Sequence, residues 1–289
     1  MKIVKILGGL GNQMFQYALA CSLKAHQPDE EVALDLHCFK GYHLHNGYEL
    51  ERIFHPSFRD ASLKNIIKVA YPYCNYNFWR IGSRILPTRK SMVTEDPRKA
   101  VDTSILSRKG SAYYDGYWQS EDYFKDIRND ILKAFTFPAF DEKNKAYSEI
   151  IVNSNSLSIH VRRGDFVNHP LYKDICTLQY YQDAIKRICA LAKIDHAFIF
   201  SNDIQWCEDN LSLFLNDQMT TYIDWNKGSQ SYNDIHLMSL CKHNIIANSS
   251  FSWWGAWLNP NPDKVVISPR IWDNSGAVSN PICKDWIKI

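Results

Sequence analysis

Long apolar runs are missing from this chain, and that absence excludes the most. No stretch approaches the roughly 18 consecutive apolar residues of a membrane-spanning helix. The opening segment Met1-Lys2-Ile3-Val4-Lys5-Ile6-Leu7 is too short for a secretory signal and runs directly into glycines. An excess of one charge is missing too: the net charge is +2, with 22% charged residues. Bulk nucleic-acid binding needs a strong basic face, so no nucleic-acid partner is expected. A local anion site stays open. Cysteine pairs at Cys-x-x-Cys spacing are also absent. The eight cysteines, Cys21, Cys38, Cys74, Cys176, Cys189, Cys207, Cys241 and Cys283, fall singly in apolar segments. That pattern fits reduced, buried thiols better than a disulfide framework or a zinc site. The expectation is a soluble cytoplasmic protein, with peripheral association at the inner membrane left open.

What is present is a two-part α/β pattern. At 289 residues and 45% hydrophobic content, the chain can build one large domain or two of ordinary size. Ile3–Leu7 reads as a strand, Gly8-Gly9-Leu10-Gly11-Asn12-Gln13 as a tight loop, and Met14–Ala25 as a helix. Glu31–Leu36 reads as a second strand, completing a βαβ opening with a parallel sheet. Residues 41–138 are irregular, aromatic and locally basic, and read as helices and loops. Within them, Tyr113–Gln119 gives a short strand and turn, and Glu121–Ala134 a helix. The polar run Asn153-Ser154-Asn155-Ser156 marks a boundary. Beyond it, strands are expected at Leu157–Val161, Ala197–Ser201, Thr220–Ile223, Asn244–Ala247 and Lys264–Ile267. Helices are expected at Leu178–Leu191, Ile204–Leu213, Tyr232–Cys241 and Phe251–Leu258, with Thr177 and Asp203 as N-caps. The fold class is α/β, with two Rossmann-like doubly wound domains, 1–150 and 151–289, facing a cleft.

In open sheets of this kind, ligands bind beyond the carboxyl ends of the strands. Polar residues collect there. His160-Val161-Arg162-Arg163-Gly164-Asp165 follow one strand, Ser201-Asn202-Asp203 another, and Asn248-Ser249-Ser250 a third. Arginine carries a rigid fork that pairs bidentately with phosphate or carboxylate. Asp165 can hold the Arg162 fork in place; a structural salt bridge at the strand end is the plain alternative. The hydroxyls and free amides at Ser249-Ser250 suit a phosphate at a helix start, or simply cap the helix. Trp253, Trp254 and Trp257 have helical spacing and belong in a core. Asp234 opens a helix, either as an acid on the dipole or as a carboxylate accepting two N–H groups from a guanine edge.

Gly9-x-Gly11, with Asp35 at the second strand's end, is a partial dinucleotide fingerprint. Met14 stands where the third glycine belongs. The loop's amides and Asn12 could still receive sugar hydroxyls or an anion, although the loop lacks a Gly-Lys-Ser/Thr ending. His43 and His45 have no evident third ligand, so no metal is expected. No Asp-x-Asp occurs, so a diphosphate would be met by arginines and a helix end rather than a divalent ion. Hydrolase signatures of the Gly-x-Ser-x-Gly or Cys–His kind are absent.

The ordered set Gly8-Gly9-Leu10-Gly11-Asn12-Gln13, Gly116-Tyr117-Trp118-Gln119-Ser120, His160-Val161-Arg162-Arg163-Gly164-Asp165 and Ser249-Ser250-Phe251-Ser252-Trp253-Trp254-Gly255-Ala256-Trp257-Leu258 resembles the α-1,2-fucosyltransferases of glycosyltransferase family 11. The resemblance runs almost from end to end, and the lack of an anchor resembles the bacterial members. It implies a GT-B-type fold, with 1–150 as the acceptor-side domain and 151–289 as the GDP-fucose-binding domain. It implies GDP-L-fucose as donor, inversion at the anomeric carbon, and no cofactor or required metal. Arg162 with Arg163 would sit on the donor diphosphate, completed by His160 and Asp165. Ser249, Ser250 and Phe251 would cradle phosphate or sugar, and Asp234 would face guanine. Asn12 would lie near the reacting groups, with Gln13, Trp118 and Gln119 beside it on the acceptor side.

The implied reaction moves L-fucose to the 2-hydroxyl of a terminal β-galactoside in a surface polysaccharide or oligosaccharide. Negative charge would grow on the β-phosphate oxygen, with Arg162 placed to stabilise it. Arg162, Asn12 and Asp165 are the expected catalytic residues. Asp165, Asp115, Glu121 and His160 all stay open as the base that takes the acceptor proton. Two other classes compete: an NAD-dependent oxidoreductase using the glycine loop, and a non-catalytic carbohydrate-binding protein with an aromatic groove. The second has no use for paired arginines.

Overall fold

Each of the two sequence patterns builds its own parallel sheet. The structure, a computed structural model, describes residues 1–215 and 219–289. The first unit spans Met1–Pro138. It contains β1 (Lys2–Lys5), α1 (Leu10–His26), β2 (Val32–Asp35), α2 (Leu50–Phe54), β3 (Arg59–Asp60) and α3 (Leu63–Val69). After these come α4 (Tyr76–Ile85), β4 (Met92–Thr94), β5 (Ala112–Asp115) and α5 (Arg128–Ala134). The sheet order is β3-β2-β1-β5-β4, with every pairing parallel. β1 is buried along its whole length, as the centre of a parallel sheet requires. Val4 pairs with Leu34 on one side and Tyr114 on the other. The chain moves from β1 outward through β2 and β3, then returns on the far side. The strand order therefore reverses between β1 and β5.

The second unit spans Ala139–Ile289. It contains α6 (Glu142–Val152), β6 (Ser156–Val161), α7 (Leu178–Leu191), β7 (His196–Ser201), α8 (Ile204–Leu211) and β8 (Thr220–Ile223). It continues with α9 (Tyr232–Leu240), β9 (His243–Ile245), α10 (Ser250–Leu258), β10 (Val266–Ser268) and β11 (Ile287–Lys288). The order is β11-β10-β9-β6-β7-β8, again all parallel. Here the reversal falls between β6 and β9. The core of this unit joins Leu157, Ile159 and Val161 of β6 to Tyr181, Ile185 and Ile188 of α7.

Several expectations need correcting. The glycine loop shortens to Gly8-Gly9, because the Asn12 and Gln13 amides bond back to the Gly9 carbonyl and start α1 at Leu10. The helix expected over Glu121–Ala134 breaks into two 3-10 turns, Glu121–Tyr123 and Lys125–Ile127, before α5. Phe124 causes the break: at φ −149° it leaves helical space, and its ring is buried 6.1 Å from that of Phe15. The units divide at Pro138–Ala139 rather than near 150. The unforeseen helix α6, capped by Asp141, belongs to the second unit; it is preceded by Phe140, which stacks on His236 of α9 at 4.0 Å. The run Asn153-Ser154-Asn155 is the turn from α6 into β6, which begins at Ser156. Cys74 and Cys189 are exposed, against the expectation of buried thiols throughout. β11, two residues long, was too short to carry a pattern.

Candidate functional site

Polar groups gather at the reversal point of each sheet, where neighbouring crossovers diverge and leave room for a ligand. In the second unit, β6 runs into His160, Arg162 and Arg163. Arg162 Nη2 donates to Asp165 Oδ1 at 2.8 Å, and its guanidinium lies 5.1 Å from the Phe166 ring centre. The Arg162 side chain is 28% exposed, so a fork held by one carboxylate still reaches solvent. Arg163 is employed differently. Its Nε donates to Asp203 Oδ2 at 3.0 Å, its guanidinium lies 4.1 Å from the Trp206 ring centre, and its amide donates to Asn202 Oδ1. Arg163 therefore ties the β6 loop to the start of α8, the structural salt bridge that the sequence left open. Gly164 sits at φ +56°, and a Cβ there would come within 2.5 Å of Asn202 Nδ2.

His160 lies inside this rim. Burial, with Arg162 nearby, pushes its pKa down to about 3. The imidazole is therefore neutral, which disfavours it as the base for a hydroxyl. Its Nδ1 has no hydrogen-bond partner, and its ring lies 5.8 Å from that of Phe251. Phe251 stands in the first turn of α10, whose N-cap Ser249 accepts from the Phe251 amide at 3.4 Å. His160, Phe251 and the α10 start thus form one corner. Trp253, Trp254 and Trp257 are buried, as their spacing predicts.

Asp234 lies in the first turn of α9, half-buried. Its Oδ1 accepts from Asn226 Nδ2 at 2.8 Å, and the Asn226 amide also exchanges hydrogen bonds with Asn144. Burial raises the carboxyl to about 7, which the Asn226 bond only partly opposes. Sequence reading missed Asn144 and Asn226. Their only signal is the Asp141-x-x-Asn144 capping pattern, in which Asp141 Oδ1 accepts from the Asn144 amide.

In the first unit, Gly8 turns the chain at φ +98°. A Cβ there would lie 2.9 Å from Asn12 Nδ2. Asn12 Oδ1 accepts from Gln119 Nε2 at 2.6 Å, joining the first turn of α1 to the loop after β5. Gln16 makes a second tie, accepting from the Leu7 amide and donating to the Gly116 carbonyl. Two expected acceptor contacts are corrected. Gln13 is wholly buried. It donates to the carbonyls of Gly8 and Gly47 and accepts from the Glu49 amide. Trp118, buried at φ +56°, packs on Tyr114 and Tyr123. Both position the loops rather than meet a ligand.

Glu95 was not foreseen. Its Oε2 accepts from the amides of Tyr117 at 2.7 Å and Trp118 at 2.9 Å, fixing the turn that carries Gln119. Burial raises its pKa. Asp115 is paired with Lys5 and accepts from Trp79 Nε1, so it too is poorly placed as a free base. Asp35 is likewise occupied: Oδ1 accepts from the His37 amide and pairs with its ring, and Oδ2 accepts from Tyr113. That removes the ribose-binding acid on which the NAD reading relied.

The Glycosyl transferase family 11 profile matches residues 88–289. An alpha-1,2-colitosyltransferase of Escherichia coli is 31% identical over 293 residues, covering 99% of this chain and 98% of its own. Galactoside alpha-(1,2)-fucosyltransferase 2 of Bos taurus is 25% identical over 271 residues, covering 89% of this chain and 69% of that protein. Among solved structures, NodZ alpha-1,6-fucosyltransferase soaked with GDP-fucose superposes with a TM-score of 0.54 at 15% identity, covering 96% of each chain. That likeness is one of fold: parallel α/β units of the GT-B type.

Proposed function

The chain belongs to glycosyltransferase family 11, and from that membership we propose that it transfers L-fucose from GDP-L-fucose to the 2-hydroxyl of a terminal β-galactoside, with inversion. The observation that carries this reading is the corner at the β6–β9 reversal. Arg162, steadied by Asp165, stands at the end of β6, while the end of β9 leads to Ser249, Ser250 and the α10 start. A fork and a helix N-terminus are complementary to a diphosphate. In this reading residues 139–289 take the donor and residues 1–138 the acceptor.

The acceptor oxygen forms a bond to the anomeric carbon as the bond to the β-phosphate oxygen breaks. GDP leaves with the electron pair, and Arg162 stabilises the charge that grows on that oxygen. Arg163 acts indirectly, by holding the loop. Asp234, with Oδ1 on Asn226, offers its other oxygen to the guanine edge. Asn12, held by Gln119, offers its amide to the acceptor. The acceptor proton goes to Asp165, Glu121 or the departing phosphate. No metal is required, because protein cations and amides meet the diphosphate.

A second donor deserves a place beside fucose. The Escherichia coli relative is named a colitosyltransferase, and colitose is fucose without its 3-hydroxyl. Incubation with GDP-fucose and GDP-colitose, over a panel of galactosides, followed by linkage determination, tests both. An α-1,2-linked fucoside is expected. Exclusive use of the dideoxy donor would transfer the reading to colitose. A 3-, 4- or 6-linked product would overturn the regiochemistry, and no turnover with either donor would overturn the activity.

A further inference from the structure

Between Ala61 and Thr94 the chain carries six basic residues, Lys64, Lys68, Arg80, Arg84, Arg89 and Lys90, and no acidic one. The whole chain holds 33 basic and 31 acidic residues, so this segment departs sharply from the rest. It includes α3 and α4. α4 is capped by Asn75, whose side chain accepts from the Phe78 amide at 3.0 Å. Its inner face is fixed by Trp79, which donates to Asp115, and by Gly82, where a Cβ would meet the Tyr73 ring at 2.3 Å. Its outer face carries Phe78, Ile81 and Ile85 at i, i+3 and i+7, exposed by 61%, 56% and 72%. Arg80 and Arg84, one turn apart and both exposed, run beside that stripe.

α3 repeats the arrangement. Leu63 and Ile67 are exposed one turn apart, with Lys64 and Lys68 next to them. The two helices are joined by Arg89, which donates to the carbonyls of Ile67 and Ala70, and by Tyr71, which donates to the Pro87 carbonyl. Among the described residues no helix is long and apolar enough to cross a membrane. An apolar ridge flanked by cations on a short, firmly seated helix is the composition of an element that lies in an interface. Phenylalanine and isoleucine reach the acyl boundary, while arginine stems lie along it and their heads meet phosphates.

We propose that α3 and α4 form a docking face for a bilayer rich in anionic phospholipid. The absence of any acid over this segment selects the occupant, since a negative surface attracts every charge present there. The proposal stands apart from the donor and acceptor reading, and its test does not use turnover as the primary readout. The full chain is sedimented with vesicles of phosphatidylcholine, alone or mixed with phosphatidylglycerol. Binding is expected to the mixed vesicles only, weakening as salt rises.

Arg80→Gln with Arg84→Gln should lower the partition coefficient about thirtyfold, at ~1 kcal/mol per basic residue near an anionic surface. Phe78→Ser with Ile81→Ser and Ile85→Ser should abolish sedimentation, with melting temperature and turnover of a soluble galactoside unchanged. Failure of the wild-type chain to bind the mixed vesicles would overturn the proposal, as would variants that bind like wild type. Concentration-dependent dimerisation removed by the same substitutions, without vesicle binding, would assign the face to a second copy.

Discussion

Arg162 and Arg163 are adjacent in sequence and tied to different elements, Arg162 to Asp165 of its own loop and Arg163 to the start of α8, which the local pattern alone could not show. The sequence marks a candidate anion loop; the packing of Asp203 and Trp206 shows that Arg163 is tied to the start of α8. Arg162→Ala should cost turnover roughly 10²–10³-fold, the usual loss when one preorganised charge-stabilising donor is removed. Arg162→Lys should recover little, because a point charge lacks the fork. Arg163→Ala should act mainly through stability, read as a lower melting midpoint. Near-wild-type turnover in folded Arg162→Ala would remove Arg162 from the mechanism. Asp234 gives a prediction with a definite sign. Its carboxyl is raised to about 7 by burial, so folding favours the protonated form. The nucleotide-free protein therefore loses stability as pH rises from about 4 towards about 7. Guanine N–H groups need the ionised form, so GDP affinity should rise with pH and level off above about 7. Asp234→Asn should raise the melting temperature at pH 8 while weakening GDP binding roughly tenfold or more, the typical effect of losing a charged partner. Calorimetric titration with GDP, ADP and UDP checks this. Unchanged GDP affinity and base preference in Asp234→Asn would leave Asp234 as a helix-terminal acid.

Two elements, α7 and β8, were legible to the residue. α7 begins and ends as read, because Thr177 caps it by accepting from the Tyr180 amide and its buried side recurs at helical spacing. Asp203 caps α8 in the same manner. The region Glu121–Ala134 failed because burial of Phe124 overrides a helical pattern that propensity supports. At the β1–α1 junction, the glycines were recognised, but as a longer loop than the chain forms. What the junction needs is one residue at φ +98°, Gly8, followed by Gly9 as the extended N-cap of the helix. Gly8→Ala should therefore be strained by backbone conformation and by the 2.9 Å approach to Asn12 Nδ2. A loss of about 1–3 kcal/mol is expected by denaturant titration. A rise in acceptor KM larger than any change in donor KM is expected too, because Asn12 and Gln119 meet there. Equal effects on both substrates would show that Gly8 serves stability alone.

At the scale of the molecule, the second unit was far more legible than the first. Its strands β6 and β7 are six residues long, and regular strand–helix alternation announces a parallel sheet. In the first unit, β3 and β4 are two and three residues long. They exist because neighbouring strands offer hydrogen bonds, which no local periodicity records. The candidate site follows the same division. His160, Arg162, Ser249 and Phe251 were readable at strand and helix ends, whereas Glu95, Asn144 and Asn226 act through contacts between distant segments. Charge is the remaining property of the whole chain that bears on mechanism. With a net charge of +2, the chain as a whole gives little overall attraction, so in the proposed reaction the diphosphate is met by local donors. The chain has no Asp-x-Asp to carry a divalent ion there, but it has Arg162 and an α10 start beside His160 and Phe251. Turnover should therefore persist in EDTA, and added magnesium or manganese should change the rate only modestly, by helping GDP depart. A rate profile against chelator and metal, with the product linkage checked in each case, tests this. Complete loss in EDTA, restored by manganese or magnesium, would show that the leaving charge is carried by a cation. Arg162→Ala sharpens the test: if Arg162 carries that charge, added magnesium should partly rescue the variant while leaving the wild type nearly unchanged.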